Sequence, residues 1–508
     1  MTNKEHSVVY QHDVGLAPPP VEIASDVQAI RERLQQALVL ERTGHTEESL
    51  ALAREARTRT EQLSCRTVHA QALFQIARAL DGRHTAEARR EAEALYVDAL
   101  EIAEHERCEP LVAAICVRLV QLALQESGTQ QAHARWHKAN AACRTASCAY
   151  QEARLHHLRG EIHYRDGDYA EAASEQSLAI AAISDDRELP PERRRYLQLE
   201  LSQYRGALAT ALEAQGLIDE AVALHEDAWN LSSDALGPSH PDVIKLQMNH
   251  GLALKKQGKL DRARAVLEAA LASMPPRCRS SSLDAGVLCT YLSEVSYYEG
   301  KLVEAAGHAR KALRIYKRVG APDRRRAEAY STLGNAELKR KNFRKALARY
   351  EEALALRRPH LRDDHYQVGV NEGSIAEALL GLSRYDEAMA HVVEAERILA
   401  RGSICDRECQ AWILSVKGEV LLGQHRLAEA VTVLEQALPQ FEGAPDPGNQ
   451  AWATWALARA LHGLGRDVER VRQLAEAARA LFARLGPSEA RNRNAVEQFL
   501  QRLTPVAA

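Results

Sequence analysis

The chain has 508 residues, a formal net charge of −3 and only 5% aromatic residues. Near-neutrality removes the long-range field that would gather nucleic acid or anionic lipid. No stretch approaches the roughly 18 uninterrupted apolar residues of a membrane span. Nine cysteines, odd in number and without framework spacing, are expected to be reduced, mostly buried small hydrophobes rather than a disulfide set or a zinc site.

Residues 1–25 are polar, then proline-rich at Pro18, Pro19 and Pro20. They carry no sustained period, lack the apolar core of a signal peptide, and are expected to be a tail on a cytoplasmic protein. From residue 26 onward an alanine recurs at intervals of 40 to 49 residues: Ala56, Ala99, Ala139, Ala179, Ala228, Ala270, Ala312, Ala353, Ala395, Ala437 and Ala477. A period in this range signals a solenoid. Each unit has a first helix with a bulky-then-small pair, as in Arg159-Gly160, His250-Gly251, Leu333-Gly334 and Lys417-Gly418. A turn follows, often with glycine (Gly44, Gly167, Gly216, Gly258, Gly300, Gly465), and then a second helix. That helix repeats a small–large–small stripe, Ala92-Tyr96-Ala99, Ala132-Trp136-Ala139, Ala263-Leu267-Ala270, Ala346-Tyr350-Ala353 and Ala430-Leu434-Ala437. Positions i, i+4 and i+7 share one helical face. The alanines let two backbones approach while the large residue fills the space between them.

The pattern divides the chain into an N-terminal sub-array over 26–183, an insertion at 184–200 that reads as a hinge (Pro190-Pro191), and a C-terminal sub-array over 201–487. In the last unit Arg470 stands where alanine is expected. After Gly486-Pro487, residues 488–508 supply a capping helix of about 490–503 and a tail. A polar lid of this kind keeps a solenoid soluble.

The repeat resembles the tetratricopeptide repeat, whose small residues fall where Gly334, Ala346 and Ala353 stand and whose aromatics fall at Tyr330, Phe343 and Tyr350. The stretch from Ala235 to Val243 (ALGPSHPDV) is similar to the inter-repeat motif of kinesin light chains. His365 takes the corresponding place further on, with Tyr366 instead of proline. The resemblance implies an all-α right-handed superhelix, an α-solenoid of about eleven helix-turn-helix repeats with the C-terminal cap. Pro18 to Leu34 also resembles the start of the repeat region that follows the kinase domain of large bacterial serine/threonine kinases. The chain has no glycine-rich phosphate loop, strand lysine, His-Arg-Asp loop or Asp-Phe-Gly.

Two clusters invite chemistry. His156, His157, Glu161 and His163 contain potential metal ligands, but a zinc site needs three or four that converge. They are expected to be structural, with no metal. The basic stretch Arg310–Arg349 lacks alternating aromatic stacking residues and is interleaved with acids, so it is expected to be a solvated surface without nucleic acid.

The tetratricopeptide resemblance implies that partners lie along the first helices. Carried over by position, that groove contains Asn249, Lys256, Glu294, Tyr298, Asn335, Lys339, Glu377 and Glu419. Amides, charges and a tyrosine pair suit an extended peptide. The expectation is a non-catalytic scaffold without cofactor that binds a protein or peptide, such as a signalling kinase or its client, away from membranes. The alternatives are a regulatory part of a serine/threonine kinase, or a repeat-type transcription regulator acting with a separate chain. The sequence does not fix the oligomeric state.

Overall fold

The computed structural model describes residues 23–503 except 43–44, 64, 84, 127, 185–190, 362–364, 402–406, 442–446 and 486–488. The described residues form α-helices and two short 3-10 turns, with no strand among them. The chain divides into two units, Met1–Gly258 and Lys259–Ala508.

The first unit contains α1 (Ala24–Arg42), α2 (Thr46–Thr60), α3 (Arg66–Asp81), α4 (Ala86–His105), α5 (Glu109–Glu126), α6 (Thr129–Ala146), α7 (Ala149–Asp166), α8 (Tyr169–Ser184), α9 (Pro191–Ala214), α10 (Ile218–Leu236) and α11 (Pro241–Lys256). The second contains α12 (Leu260–Ser273), α13 (Leu283–Tyr298), α14 (Leu302–Val319), α15 (Asp323–Lys339), α16 (Phe343–Arg357), α17 (Tyr366–Gly381), α18 (Tyr385–Arg401), α19 (Arg407–Gly423), α20 (Leu427–Ala437), α21 (Gly448–Gly463), α22 (Val468–Arg484) and α23 (Ala490–Leu503). Within each unit consecutive helices pair as hairpins, and each hairpin packs on the next. Among the described residues, five hairpins lie within each unit, and α23 follows the last of them.

The periodic alanines explain the packing. All from Ala56 to Ala437 are fully buried. The large residue between two of them fills a notch on the first helix of its own hairpin. A Cβ on Gly334 would lie 2.5 Å from Tyr350 Cε1, one on Gly418 2.5 Å from Leu434 Cδ2, and one on Gly160 2.5 Å from Gln176 Nε2. The bulky-then-small pair therefore exists to admit the opposing side chain.

The eleventh position is a correction. Ala477 is exposed, and the buried residues of α22 are Val471, Ala475, Ala478 and Phe482. The stripe runs one residue later than expected, with Val471 in the place assigned to Arg470. Arg470 instead reaches out to Glu435 at 2.6 Å.

The turns follow the glycines. Gly167, Gly216, Gly258, Gly300 and Gly465 have φ between 66° and 92°, a left-handed conformation that costs glycine nothing. Lys341, Ser383 and His425 adopt it at 60–61° where the sequence offers no glycine. Gly44 lies outside the described residues. His240 and His365 occupy corresponding places, as expected. Each caps the helix that follows it, its Nδ1 accepting from the backbone N–H two residues on, at 3.3 Å and 3.2 Å.

Residues 1–22 and 185–190 lie outside the described residues, and with them most of the tail and part of the insertion. Helix α9 begins at Pro191 and packs against α8. At the C-terminus α23 covers the last hairpin. Val496 is fully buried, and the Phe499 ring lies 4.9 Å from that of Trp455 and 5.0 Å from that of His462.

Candidate partner-binding surface

Helix packing distinguishes two faces in each unit. First helices of successive hairpins pack directly on one another, as α1 does on α3 and α5 on α7 in the first unit, and α13 on α15, α17 on α19 and α19 on α21 in the second. Among the described residues the second helices have no comparable mutual packing. Neighbours that approach on one side and diverge on the other create a curved stack, with the first helices on its inner side. The residues singled out in the sequence lie on those first helices.

In the first unit, Asn249 is exposed on α11. Lys256, at the end of the same helix, is bound to Glu213 of α9. Glu213 also accepts from His225 Nε2 at 3.0 Å. Burial pushes the Glu213 carboxyl up, but the hydrogen bonds from His225 and Lys256 outweigh it and hold the group below the ordinary glutamate value. Lys256 is thus committed to an internal triad.

In the second unit, Lys339 and Glu377 come together. Lys339 closes α15, and its Nζ also lies 3.0 Å from Glu489 Oε1, immediately before α23. Desolvation pulls the ammonium down, but the Tyr297, Glu489 and Glu377 oxygens more than compensate and hold it above the ordinary lysine value. The Glu377 carboxyl is pushed up by burial, partly countered by Lys339 and by a hydrogen bond from the Trp412 indole. The Lys339 side chain keeps 43% of its surface accessible, while Glu489 keeps 8%. An accessible cation therefore sits in a concavity, holding a carboxylate that arrives from the far end of the unit.

The other candidates have separate settings. Asn335 Oδ1 accepts from the Tyr350 hydroxyl at 2.8 Å, which makes it an intra-hairpin tie. Glu419 accepts from Arg459, whose guanidinium lies 5.5 Å from the Trp455 ring centroid. Tyr298 is 58% exposed, with its ring edge-on to Tyr297 at 5.4 Å. Glu294 is half-buried on α13.

Residues 200–275 and 286–358 match the family model for the tetratricopeptide repeat. These two segments carry tetratricopeptide repeats. No curated protein matches the chain. It is similar to solved repeat structures. One is a Podosopora anserina kinesin light chain structure with nearly identical tetratricopeptide-like repeats (20% identity, 40% of this chain and 97% of that one, TM-score 0.35). Another is a tetratricopeptide repeat protein of Parabacteroides merdae (14% identity, 59% and 98%, TM-score 0.40). A third is a Rap protein complexed with competence and sporulation factor (14% identity, 70% and 100%, TM-score 0.43).

On α7 the histidine cluster resolves into separate contacts. His156 Nδ1 lies 2.7 Å from Glu175, His157 Nδ1 2.9 Å from Gln176 Oε1, and His163 Nδ1 3.6 Å from Asp168. His157 Nε2 also lies 3.7 Å from Glu161, but His156 and His163 face Glu175 and Asp168 instead, so the four do not converge on a point. In the basic stretch, Arg310 and Arg340 both reach Glu337, Arg325 reaches Glu328, Arg326 reaches Asp323 and Arg349 reaches Glu352. Tyr297, Trp412 and Glu489 belong to the Lys339 cluster. Tyr297 is the neighbour of Tyr298 in the tyrosine pair that the sequence offered, whereas Trp412 and Glu489 escaped the sequence reading. These two come from separate elements, and no common repeat position links them.

Proposed function

We propose that this chain is a non-catalytic scaffold that holds a protein or peptide along the inner face of its first helices. The observation that carries the reading is Lys339, an accessible ammonium in a concavity that already holds a carboxylate from a distant segment. Partners that lie along such a face are fixed by hydrogen bonds and charge at a few positions and by shape elsewhere. Glu377 and Trp412 border the cation, and Tyr298 offers an aromatic surface on the neighbouring repeat.

The partner we infer is a signalling kinase or its client, on the resemblance of Pro18 to Leu34 to the region that follows bacterial kinase domains. We place the chain in the cytoplasm. All eight described cysteines are free thiols, as suits a reducing compartment. Among the described residues no helix is long and apolar enough to cross a membrane.

The test is capture from the native cell by immobilised full-length chain, with Lys339→Glu as the paired bait. The specific partner should be recovered about tenfold less well on the variant, the effect of losing about 1.4 kcal/mol. A kinase or a kinase substrate should be among the lost proteins. Equal recovery on both baits would remove Lys339 from the surface, and turnover of ATP by the purified chain would remove the non-catalytic reading.

A further inference from the structure

The basic stretch of the second unit divides into two kinds of residue. Five of its arginines are held by carboxylates, as described above, and Arg310 of α14 is one of them. The other cations of α14 are not. Lys311, Arg314 and Lys317 have neither a hydrogen bond nor an ion pair among the described residues. Arg318 donates from Nη1 to the Ser280 carbonyl at 3.2 Å, which sets it beside the 3-10 turn Cys278–Ser280 that precedes α13. Arg279 of that turn donates from Nε to the Met274 carbonyl at 3.0 Å and from Nη2 to that of Ala272. These carbonyls are neutral. They fix the two guanidiniums in place and leave each its charge and further N–H donors.

The charge is concentrated by the sequence. No acidic residue occurs from Ala305 to Pro322 or from Ala269 to Leu283. The carboxylate of α14, Glu304, lies in its first turn and faces Arg264 at 3.4 Å. Lys311, Arg314 and Arg318 stand at i, i+3 and i+7 and so share one face, turned away from the buried Ala305, Ala309, Ala312 and Tyr316. Arg279, Arg314, Lys317 and Arg318 are exposed and Lys311 is half-buried. Because α14 is a second helix, this face lies on the opposite side of its hairpin from the first-helix surface that carries Lys339.

Helix electrostatics explain only part of the pattern. Cations in the last turn are stabilised by the helix dipole, which accounts for Lys317 and Arg318. Lys311 and Arg314 lie further in, and Arg314 has like charges three and four residues away, a spacing that destabilises a helix. The field also reaches inward: burial pushes the His308 imidazole down, and Arg264 and Lys311 push it further, against Glu304 and Glu268. An anion laid along the face would remove this repulsion.

The dimensions select among anions. Lys311 to Arg318 spans about 10 Å along the axis, the length of about three extended residues. A duplex or a membrane surface extends well beyond that, and brings its charge over the remainder of a chain whose net charge is −3. A short acidic segment meets the stripe alone, within a screening length of about 8–10 Å. We propose that the α14 face bearing Lys311, Arg314 and Arg318, with Arg279 beside it, docks an acidic segment of a partner protein. Charge complementarity steers such a segment and fixes its position.

The test is titration calorimetry of the full-length chain at low ionic strength with N-acetylated, C-amidated hexaglutamate. Saturable binding is expected, weakened about tenfold or more by Lys311→Gln combined with Arg314→Gln. Neither side chain holds an ion pair, so this variant should melt no lower than the parent. Arg384→Gln combined with Arg426→Gln removes the same charge from arginines that Glu387 and Glu429 engage, and should keep the affinity within about twofold. An equal loss there would reduce the effect to net charge and overturn the site. Lys339→Glu should leave the affinity unchanged, which separates this face from the surface proposed above. Parallel arms present a short DNA duplex and phosphatidylserine vesicles. Tighter binding of either, lost with Lys311 and Arg314, would assign the face to that polyanion and overturn the acidic segment. Failure of hexaglutamate to saturate by about 1 mM, or equal binding to the Lys311 and Arg314 variant, would overturn the proposal as well.

Discussion

Replacing Gly334 by alanine tests whether the notch on each first helix governs hairpin packing. A methyl at this position would meet Tyr350 at 2.5, 2.8 and 3.0 Å from Cε1, Cδ1 and Cζ. The ring has no room to withdraw: it is 1% exposed, and its hydroxyl donates to Asn335 Oδ1 at 2.8 Å. Overpacking a tight interior costs about 1–3 kcal/mol, and breaking the hydroxyl bond adds about 1 kcal/mol. Against this, alanine gains about 1 kcal/mol over glycine in helix propensity. The expected outcome is net destabilisation of about 1–3 kcal/mol. Gly307 in α14 is the internal control, because a Cβ there meets nothing within 4 Å. Gly307→Ala should stabilise by up to about 1 kcal/mol. Urea denaturation followed by circular dichroism gives the midpoints. Amide exchange localises the loss to α15 and α16, which is needed because a repeat array need not unfold in one step. In a Tyr350→Ala background the cost of Gly334→Ala should vanish, a coupling that a double-mutant cycle measures directly. If Gly334→Ala were as stable as the parent while Gly307→Ala behaved as expected, the notch would not be what seats the tyrosine.

Two further outcomes follow from the packing and from the Glu213 triad. Ala353→Leu should cost about 1–3 kcal/mol by overpacking, whereas Ala477→Leu, on an exposed face, should change stability by less than about 0.5 kcal/mol; thermal melts of the pair decide the corrected position in α22. The Glu213 carboxyl is held below the ordinary glutamate value by His225 and Lys256. Its contribution is therefore present above the unfolded-state value and lost as pH falls through the folded one. Acid titration of stability should show a steeper decline in the parent than in Glu213→Gln, and parallel curves would contradict the assignment.

The alanine period revealed the hairpins because a backbone-to-backbone approach tolerates one side-chain size, and that constraint recurs with every unit. It failed at the last unit for a related reason. Ala475, Ala477 and Ala478 lie within one turn, so alanine itself no longer marks a unique face, and burial alone separates the core pair from the solvent residue. Lys339 and Glu377 could each be selected because both occupy first-helix positions, but the sequence did not show that they meet. Glu489 could not be selected, because a stack folds back on itself only after several hairpins have added their small rotations.

The tie between Lys339 and Glu489 bears on how the second unit can change over evolution. A linear stack ordinarily tolerates duplication or loss of a whole module, since each module answers only to its immediate neighbours. Here an ammonium and a carboxylate 150 positions apart meet only when the intervening modules are of this number and pitch. Adding one would carry the lid past the cation, and removing one would leave it short. The second unit therefore has a built-in gauge of its own length.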